Sequence, residues 1–224
     1  PAFRGIEGRY ALHYTAQSLV NLDAILRDPE SKAPTQPSQQ VSTDISGTWV
    51  VTPLPKEGGE NVCRLRLEGI SLSLGSNGQP AAGLDRIKDE LSQNFYAHLT
   101  PEGRVTGVQF DKSWGGNSRD IAKTLLSMAQ FVGPQRSDDG KSWQTREDYF
   151  GGVYTMQYGV LKDDAGKVTK ERIGVEASTN AKGMMATNGE PSGVLDCEFD
   201  PNSSLVKSIA GQWKTSIFVG KNTV

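Results

Sequence analysis

Alternation of apolar and polar residues predicts a chain made mostly of β-strands. The clearest case is 63–68, in which Cys63, Leu65 and Leu67 alternate with charged residues. A period of two turns one set of side chains inward and the other outward, as in a half-buried strand. The same pattern predicts strands at 9–16, 41–52, 95–99, 105–110, 143–149, 153–161, 168–177, 194–199, 205–213 and 215–219.

Turn residues between these segments predict antiparallel hairpins. Thr100-Pro101-Glu102-Gly103 separates two strand segments, and proline followed by glycine is typical of a tight turn. Asp163-Asp164-Ala165-Gly166 and Asp200-Pro201-Asn202 have the same role further along the chain. Residues 28–40 contain three prolines among polar residues and predict a surface loop, whereas 84–91 could be a short helix or a connector.

One segment has the periodicity of a helix. Asn117 or Ser118 is a suitable N-cap, and Gly133-Pro134 would end the helix. The predicted core residues of this helix are Ile121, Leu125, Leu126, Met128 and Val132. A helix this apolar must be enclosed on most sides, and only strands flank it. The sequence therefore predicts a mainly β fold, with an antiparallel, strongly curved sheet or barrel wrapped around one central amphipathic helix.

Length and charge narrow the possible functions. With 224 residues, we expect a single β-barrel-like domain over residues 1–224, forming the N-terminal part of a longer protein. The 24 basic and 26 acidic residues give a net charge of −2 without the basic stripe of a nucleic-acid-binding surface. No apolar run approaches the ~18 residues of a spanning helix. We expect no nucleic acid partner and no transmembrane segment.

Residues that could support catalysis or bind metal are scattered. His13 and His98 lie on the polar faces of predicted strands, and no catalytic motif accompanies them. Asp196, Glu198 and Asp200 alternate along one strand and could bind calcium, but no calcium-type loop surrounds them, which favours a solvated surface. We therefore expect no enzyme and no catalytic, cofactor or metal site.

The two cysteines allow two interpretations. Cys63 and Cys197 each alternate in phase with core residues, on separate strands. They could be buried thiols that pack as small hydrophobic side chains. They could also form a Cys63–Cys197 disulfide, which would indicate an oxidising compartment. An isolated cysteine pair cannot form a zinc site.

The order of elements carries a family resemblance over residues 9–161. A strand with two tyrosines, the Cys63 strand and a Pro-x-Gly hairpin precede the helix, and two strands follow it. The matching residues are Asn117, Lys123, Leu125, Leu126 and Gln130 in the helix, and Glu147, Gly152, Thr155 and Tyr158 in the strands. This arrangement resembles the N-terminal β-barrel domain of the large lipid-transfer proteins, the vitellogenin and apolipoprotein B class.

The resemblance implies a barrel closed around its helix and a role in contacting a receptor or other protein partner. Residues 1–8 have no signal-peptide pattern, so by themselves they indicate either a cytoplasmic protein or one whose signal peptide has been removed. The resemblance implies the second case, with a secreted, periplasmic or cell-surface location. In that class the lipid cavity lies in later domains, so lipid would bind through those. The family's usual disulfide after the helix has no counterpart, because residues 154–156 contain no cysteine.

Three functions remain open at this point. The first is a non-catalytic protein-interaction barrel of a secreted or surface lipid-transfer-like protein. The second is a carrier of a small apolar ligand, of lipocalin type, and the third is a free-standing surface or adhesion module. The packing of the helix distinguishes the protein-interaction barrel from the ligand carrier. If Leu125 and Leu126 fill the interior, little volume remains for a ligand, since protein cores pack densely.

Overall fold

The computed structural model describes residues 7–20, 39–135, 141–149, 152–161, 164–176, 178–179, 184–188, 192–199, 206–214 and 217–221. Within these ranges most residues lie in antiparallel strands, which confirms the predicted fold class. The strands are β1 Gly8–Val20, β2 Gln39–Glu57, β3 Glu60–Ser76, β4 Gln79–Pro80, β5 Phe95–Leu99, β6 Val105–Gln109, β7 Ser142–Tyr149, β8 Gly152–Leu161, β9 Asp164–Glu176, β10 Ser178–Thr179, β11 Met184–Asn188, β12 Ser192–Phe199, β13 Val206–Lys214 and β14 Ile217–Lys221.

The described strands form three sheets. The first sheet has the order β1-β2-β3-β5-β6, with β4 beside β3, and the second has the order β13-β12-β9-β8-β7. A small third sheet has the order β10-β11-β14. Within the described ranges, β1 and β6 are the two edges of the first sheet and do not pair with each other. Of the two predicted forms, sheet and barrel, the described residues form open sheets.

The hairpin between β2 and β3 corrects one predicted boundary. The second strand is predicted over 41–52, before Pro53-Leu54-Pro55, but β2 continues through these prolines to Glu57. Its pairing with β1 ends at Val51, so beyond that point β2 is an edge strand, where prolines are tolerated. The turn follows at Gly58-Gly59, which have φ angles of 57° and 89°. Two successive positive φ angles are what a two-residue hairpin turn requires.

A β-bulge in β3 explains a change of phase in its apolar pattern. Leu65 and Leu67 are buried, so the first half of the strand turns its odd-numbered residues inward. In the second half the inward residues are Ile70, Leu72 and Leu74. The register with β2 shifts between these halves, and Gly69 has a φ angle of 61°. The extra residue keeps the apolar side chains on one face of the sheet.

Two helices lie in the described part of the chain: α1, Leu84–Ser92, and α2, Gly116–Ala129. The segment left open between helix and connector is therefore a helix. The predicted N-cap of α2, Asn117 or Ser118, lies two or three residues after the observed N-cap Gly115, and the predicted end at Gly133 is wrong. Gln130 already has extended backbone angles, with φ −63° and ψ 132°. Residues 130–133, called the linking segment below, leave the helix and run between the two large sheets.

Two hydrophobic cores flank the linking segment. The first lies between the first sheet and both helices, and includes Leu67, Leu91, Phe95 and Leu125. The second lies on the inward face of the second sheet. It contains Val132, Trp143, Tyr154, Met156, Tyr158, Val168 and Cys197. The linking segment therefore contributes its own side chain, Val132, to the second core immediately after α2 has packed on the first.

A carboxylate from α1 caps the N-terminus of α2. The N-cap residue Gly115 has no side chain, and its N–H donates to Glu90 Oε2 at 3.0 Å. The Ser118 hydroxyl and Arg86 Nε also donate to the Glu90 carboxylate. The Ser118 hydrogen bond lowers the pKa of Glu90 most; burial opposes it, and Arg86 and Gly115 add to the lowering. A helix N-terminus favours such a negative charge.

This cap predicts a pH-dependent contribution to stability. Because the pKa of Glu90 is lower in the folded chain than its usual value of 4.5, its contribution is present above pH 4.5 and is lost as the pH falls through the folded pKa. We expect Glu90→Gln to reduce the free energy of unfolding at pH 7, and the difference from wild type to shrink towards pH 3. Urea unfolding of both proteins at several pH values measures this difference in the free energy of unfolding.

The matched control for the cap is Asp89→Asn, which neutralises the exposed neighbouring carboxylate of the same helix. We expect this variant to unfold like wild type at each pH. An equal response of the two variants to pH would show that Glu90 has no special role at the helix N-terminus.

A second prediction concerns the turn between β5 and β6, which lies against the linking segment. Gly133 N–H donates to Glu102 O at 2.7 Å, and a Cβ on Gly103 would lie 2.5 Å from Phe131 O. Gly103 also has a φ angle of 101°. We expect Gly103→Ala to cost about 1–3 kcal/mol in urea unfolding. Gly107→Ala, with no atom within 4 Å of its Cβ, should cost nothing, and equal losses would contradict the prediction.

Candidate functional site

The structure separates the two cysteines. Cys63 on β3 lies in the first core and Cys197 on β12 lies in the second, and both are free thiols. The Cys63–Cys197 disulfide is therefore wrong, because the two strands belong to different sheets and each thiol packs within its own core. Burial raises the pKa of each thiol to about 11, so both stay protonated and unreactive near neutral pH. The cysteines give no argument for an oxidising compartment.

The predicted core residues of the helix have different locations. Leu125 and Leu126 are buried in the first core, and Ile121 is partly buried against it. Met128 is partly exposed and belongs to neither core. Val132 is buried, but it lies in the linking segment and packs in the second core.

Of the candidate catalytic and metal-binding residues, those that the structure describes lie on the outer faces of the sheets. The His13 side chain is 70% exposed, near Asp44, and His98 contacts Glu60 and Gln109 on the outer face of the first sheet. Glu198 forms an ion pair with Lys207, and Asp200 lies outside the described residues. No cluster of three potential metal ligands occurs among the residues that the structure describes.

A fully buried ion pair lies where the linking segment meets the second sheet. Glu147 on β7 and Lys170 on β9 are both 0% exposed, and Lys170 Nζ is 2.7 Å from Glu147 Oε2. Gln130 Nε2 also donates to Oε2 at 2.7 Å, while Tyr158 OH and Thr145 Oγ1 donate to Oε1 at 2.6 and 2.7 Å. Every oxygen of the carboxylate thus has two donors, which offsets the cost of burying its charge.

Electrostatics support the charged state of this pair. Burial alone would raise the pKa of Glu147, but the Lys170 ammonium and the hydrogen-bond donors hold it below its usual value. Burial lowers the pKa of Lys170, and the Glu147 carboxylate opposes that effect. Burial and the neighbouring carboxylate raise the pKa of Tyr158 well above its usual value, so its hydroxyl remains a donor.

The linking segment connects this pair to both sheets. Lys170 Nζ donates to Gln130 O at 2.8 Å, and Gln130 Oε1 accepts a hydrogen bond from Val105 N–H, at the start of β6, at 2.7 Å. Val132 N–H donates to Tyr158 OH, and Trp143 Nε1 donates to Val132 O. The polar groups of this short segment are therefore bonded to the first sheet on one side and to the second sheet on the other.

The chemistry available in this network is structural. Glu147, Lys170, Tyr158 and Cys197 are residue types found in active sites, but each is at most 1% exposed. They lie in the closed interior of the second sheet, so a substrate could not reach them without displacing the core. Sequence reasoning matched Glu147, Tyr158 and Gln130 only through the family resemblance. A local signal for this network was available in β9: Lys170 alternates in phase with Val168, which places the lysine on the inward face of the strand.

A cavity of about 410 Å³ lies on the other side of the linking segment. Its walls come from β1, β2, β3, β5, β6 and the β5–β6 turn of the first sheet, from α2 and the linking segment, and from β13 of the second sheet. Side chains that line it include Leu12, Leu65, Leu99, Leu125, Leu126 and Ile209. Leu125 and Leu126 are buried without filling the interior, so volume remains for a ligand.

The cavity lies between the edges of two sheets. β1 is the edge of the first sheet and β13 is the edge of the second, and residues of both strands line it. Of the described residues in its walls, Lys207 alone carries a charge. Gln130 and Phe131 belong to the walls as well, so the linking segment is shared between the cavity and the buried network.

Comparisons with known proteins bear on the fold. No protein-family profile and no curated protein sequence matches this chain. Among solved structures the chain is similar to lipovitellin, in a study of its lipid–protein interactions, with a TM-score of 0.62 at 12% identity. The similarity covers 95% of this chain and 23% of the lipovitellin chain. It confirms a vitellogenin-like fold and, at this identity, no more than the fold.

Neither described helix is long and apolar enough to cross a membrane.

The buried ion pair predicts large losses of stability on truncation. Glu147→Gln or Lys170→Met leaves the other charge buried without its counter-ion, which typically costs about 3–5 kcal/mol. We expect the double variant to lose less than the sum of the two single losses, since it leaves no unpaired charge. Urea unfolding of the four proteins gives this coupling free energy.

An exposed pair with the same 2.7 Å separation provides the control. Lys207 and Glu198 have side chains that are 63% and 37% exposed. Breaking it with Lys207→Met should cost at most about 1 kcal/mol. Equal losses for Lys170→Met and Lys207→Met would contradict the role given to the buried pair.

Proposed function

We propose that this chain is a non-catalytic lipid-handling module that binds an apolar ligand between α2 and the first sheet. The observation that carries the proposal is the cavity of about 410 Å³. Sites for small ligands typically have volumes of about 300–1,000 Å³ and mainly apolar walls with a few polar groups. This cavity fits that description, with Gln130, Lys207 and Ser208 among its polar residues.

The physical reason for an apolar ligand is the nature of the walls. Aliphatic side chains such as Leu12, Leu99 and Ile209 offer water no hydrogen bonds. Removing their surface from water is favourable by roughly 25 cal/mol per Å². A hydrocarbon chain gains this free energy over the whole length that it inserts, whereas a polar ligand would lose its own hydrogen bonds.

Two further observations support a lipid carrier rather than an enzyme. The fold is similar to that of lipovitellin, a protein studied for its lipid–protein interactions. The thiol in the cavity wall, Cys63, has a pKa of about 11 and is therefore a poor nucleophile. Of the functions that the sequence left open, the carrier of an apolar ligand is favoured because volume remains beside Leu125 and Leu126.

Binding of a neutral apolar probe tests the proposal. We expect Nile red to bind saturably to the folded chain with increased fluorescence, and 1-hexadecanol to displace it. Leu12→Trp places a larger side chain in the cavity and should weaken both ligands at least about tenfold, which corresponds to 1.4 kcal/mol. Ile209→Trp, on the opposite wall, should have the same effect if Leu12→Trp alters the fold.

The matched control is Thr15→Trp, which adds the same side chain to the exposed face of β1. We expect this variant to bind both ligands like wild type. The proposal would be wrong if the folded wild-type chain failed to bind Nile red and hexadecanol, or if both cavity variants bound them unchanged.

A further inference from the structure

The charge at the mouth of the cavity bears on the kind of ligand. Lys207 is part of the cavity wall, yet its side chain is 63% exposed. Its ammonium therefore lies near the boundary between the apolar interior and solvent. An amphiphile that inserts its chain into the cavity must leave its polar head at such a boundary, because burying an unpaired polar group is costly.

The Lys207 ammonium can accept an anionic head at little cost. It donates to Glu198 Oε1 at 2.7 Å, but an exposed pair of this kind contributes at most about 1 kcal/mol. An anionic head can therefore compete with Glu198 for this ammonium without the loss of a strong interaction. Ser208, which also lines the cavity, donates to the other oxygen of the same carboxylate at 3.5 Å. A neutral head would gain nothing from the charge.

The volume bears on the number of chains. At about 410 Å³ the cavity lies at the lower end of the roughly 300–1,000 Å³ typical of small-ligand sites, which favours one acyl chain over two.

We infer that the ligand of this cavity is a single-chain amphiphile whose anionic head, a carboxylate or a phosphate, pairs with Lys207. This inference rests on the proposed function and specifies its ligand class.

Ligands with the same chain and different heads test the inference. Palmitate, hexadecyl phosphate and 1-hexadecanol share a sixteen-carbon chain, and displacement of Nile red below their aggregation concentrations gives their affinities. We expect at least one of the anions to bind wild type about two- to fivefold more tightly than hexadecanol, the range of an exposed ion pair. Raising the salt concentration should reduce this preference.

Variants of the Lys207–Glu198 ion pair test whether Lys207 causes the preference for anionic heads. Lys207→Met should abolish the preference for the anions and leave hexadecanol unchanged. Glu198→Gln removes the competing carboxylate and should increase the preference. Lys123→Met removes the same charge from the exposed side of α2, away from the cavity, and should leave all three affinities at their wild-type values.

Several results would overturn the inference. These are equal binding of all three ligands by wild type, an anion preference that survives Lys207→Met, or binding of dipalmitoyl phosphatidate as tightly as hexadecyl phosphate. Each leaves the proposed function intact as long as hexadecanol binds in the cavity. Loss of hexadecanol binding itself would instead refute the proposed function.

Discussion

The ion pair between Glu147 and Lys170 is the constraint on which the rest of the structure depends. Two opposite charges without solvent exposure are tolerated only if each polar atom is bonded. Gln130 bonds to both members of the pair: its side-chain amide donates to Glu147, and its backbone oxygen accepts from Lys170. With Gln130 outside the helix, its backbone oxygen has no intrahelical partner and bonds to Lys170, which fits the end of α2 at Ala129 although the apolar pattern continues to Val132. The side-chain oxygen of Gln130 also accepts a hydrogen bond from Val105 N–H, at the start of β6.

Much of the fold follows from local patterns in the sequence. Alternation around Cys63 and around Cys197 identified inward-facing residues correctly, because the side-chain period of a strand depends only on the strand itself. The hairpin turn at Thr100–Gly103 was predictable in the same way, because proline and glycine directly determine the backbone conformations that the turn can adopt. The helix was recognisable from its apolar face, although its second half is shorter than predicted.

The remainder depends on which elements meet, and local patterns do not contain that information. Cys63 and Cys197 both face inward, but phase along a strand does not say which sheet's interior a residue faces, so the predicted bridge was wrong. Lys170 alternates in phase with Val168 and is therefore inward, yet its partner Glu147 lies 23 positions earlier on another strand. The cavity could not be predicted from local patterns for the same reason, because its walls come from both sheets.

If the cavity holds a ligand as proposed, the shared linking segment links ligand binding thermodynamically to the docking of the second sheet. Phe131 lines the cavity and also packs edge-on against Tyr158 and Trp143, with ring centroids 5.2 and 6.1 Å apart. A ligand that favours the present position of Phe131 stabilises the docked sheet, and by reciprocity the docked sheet increases the affinity for that ligand. Under the proposed function, the occupancy of the cavity would thereby be transmitted to the surface of the second sheet.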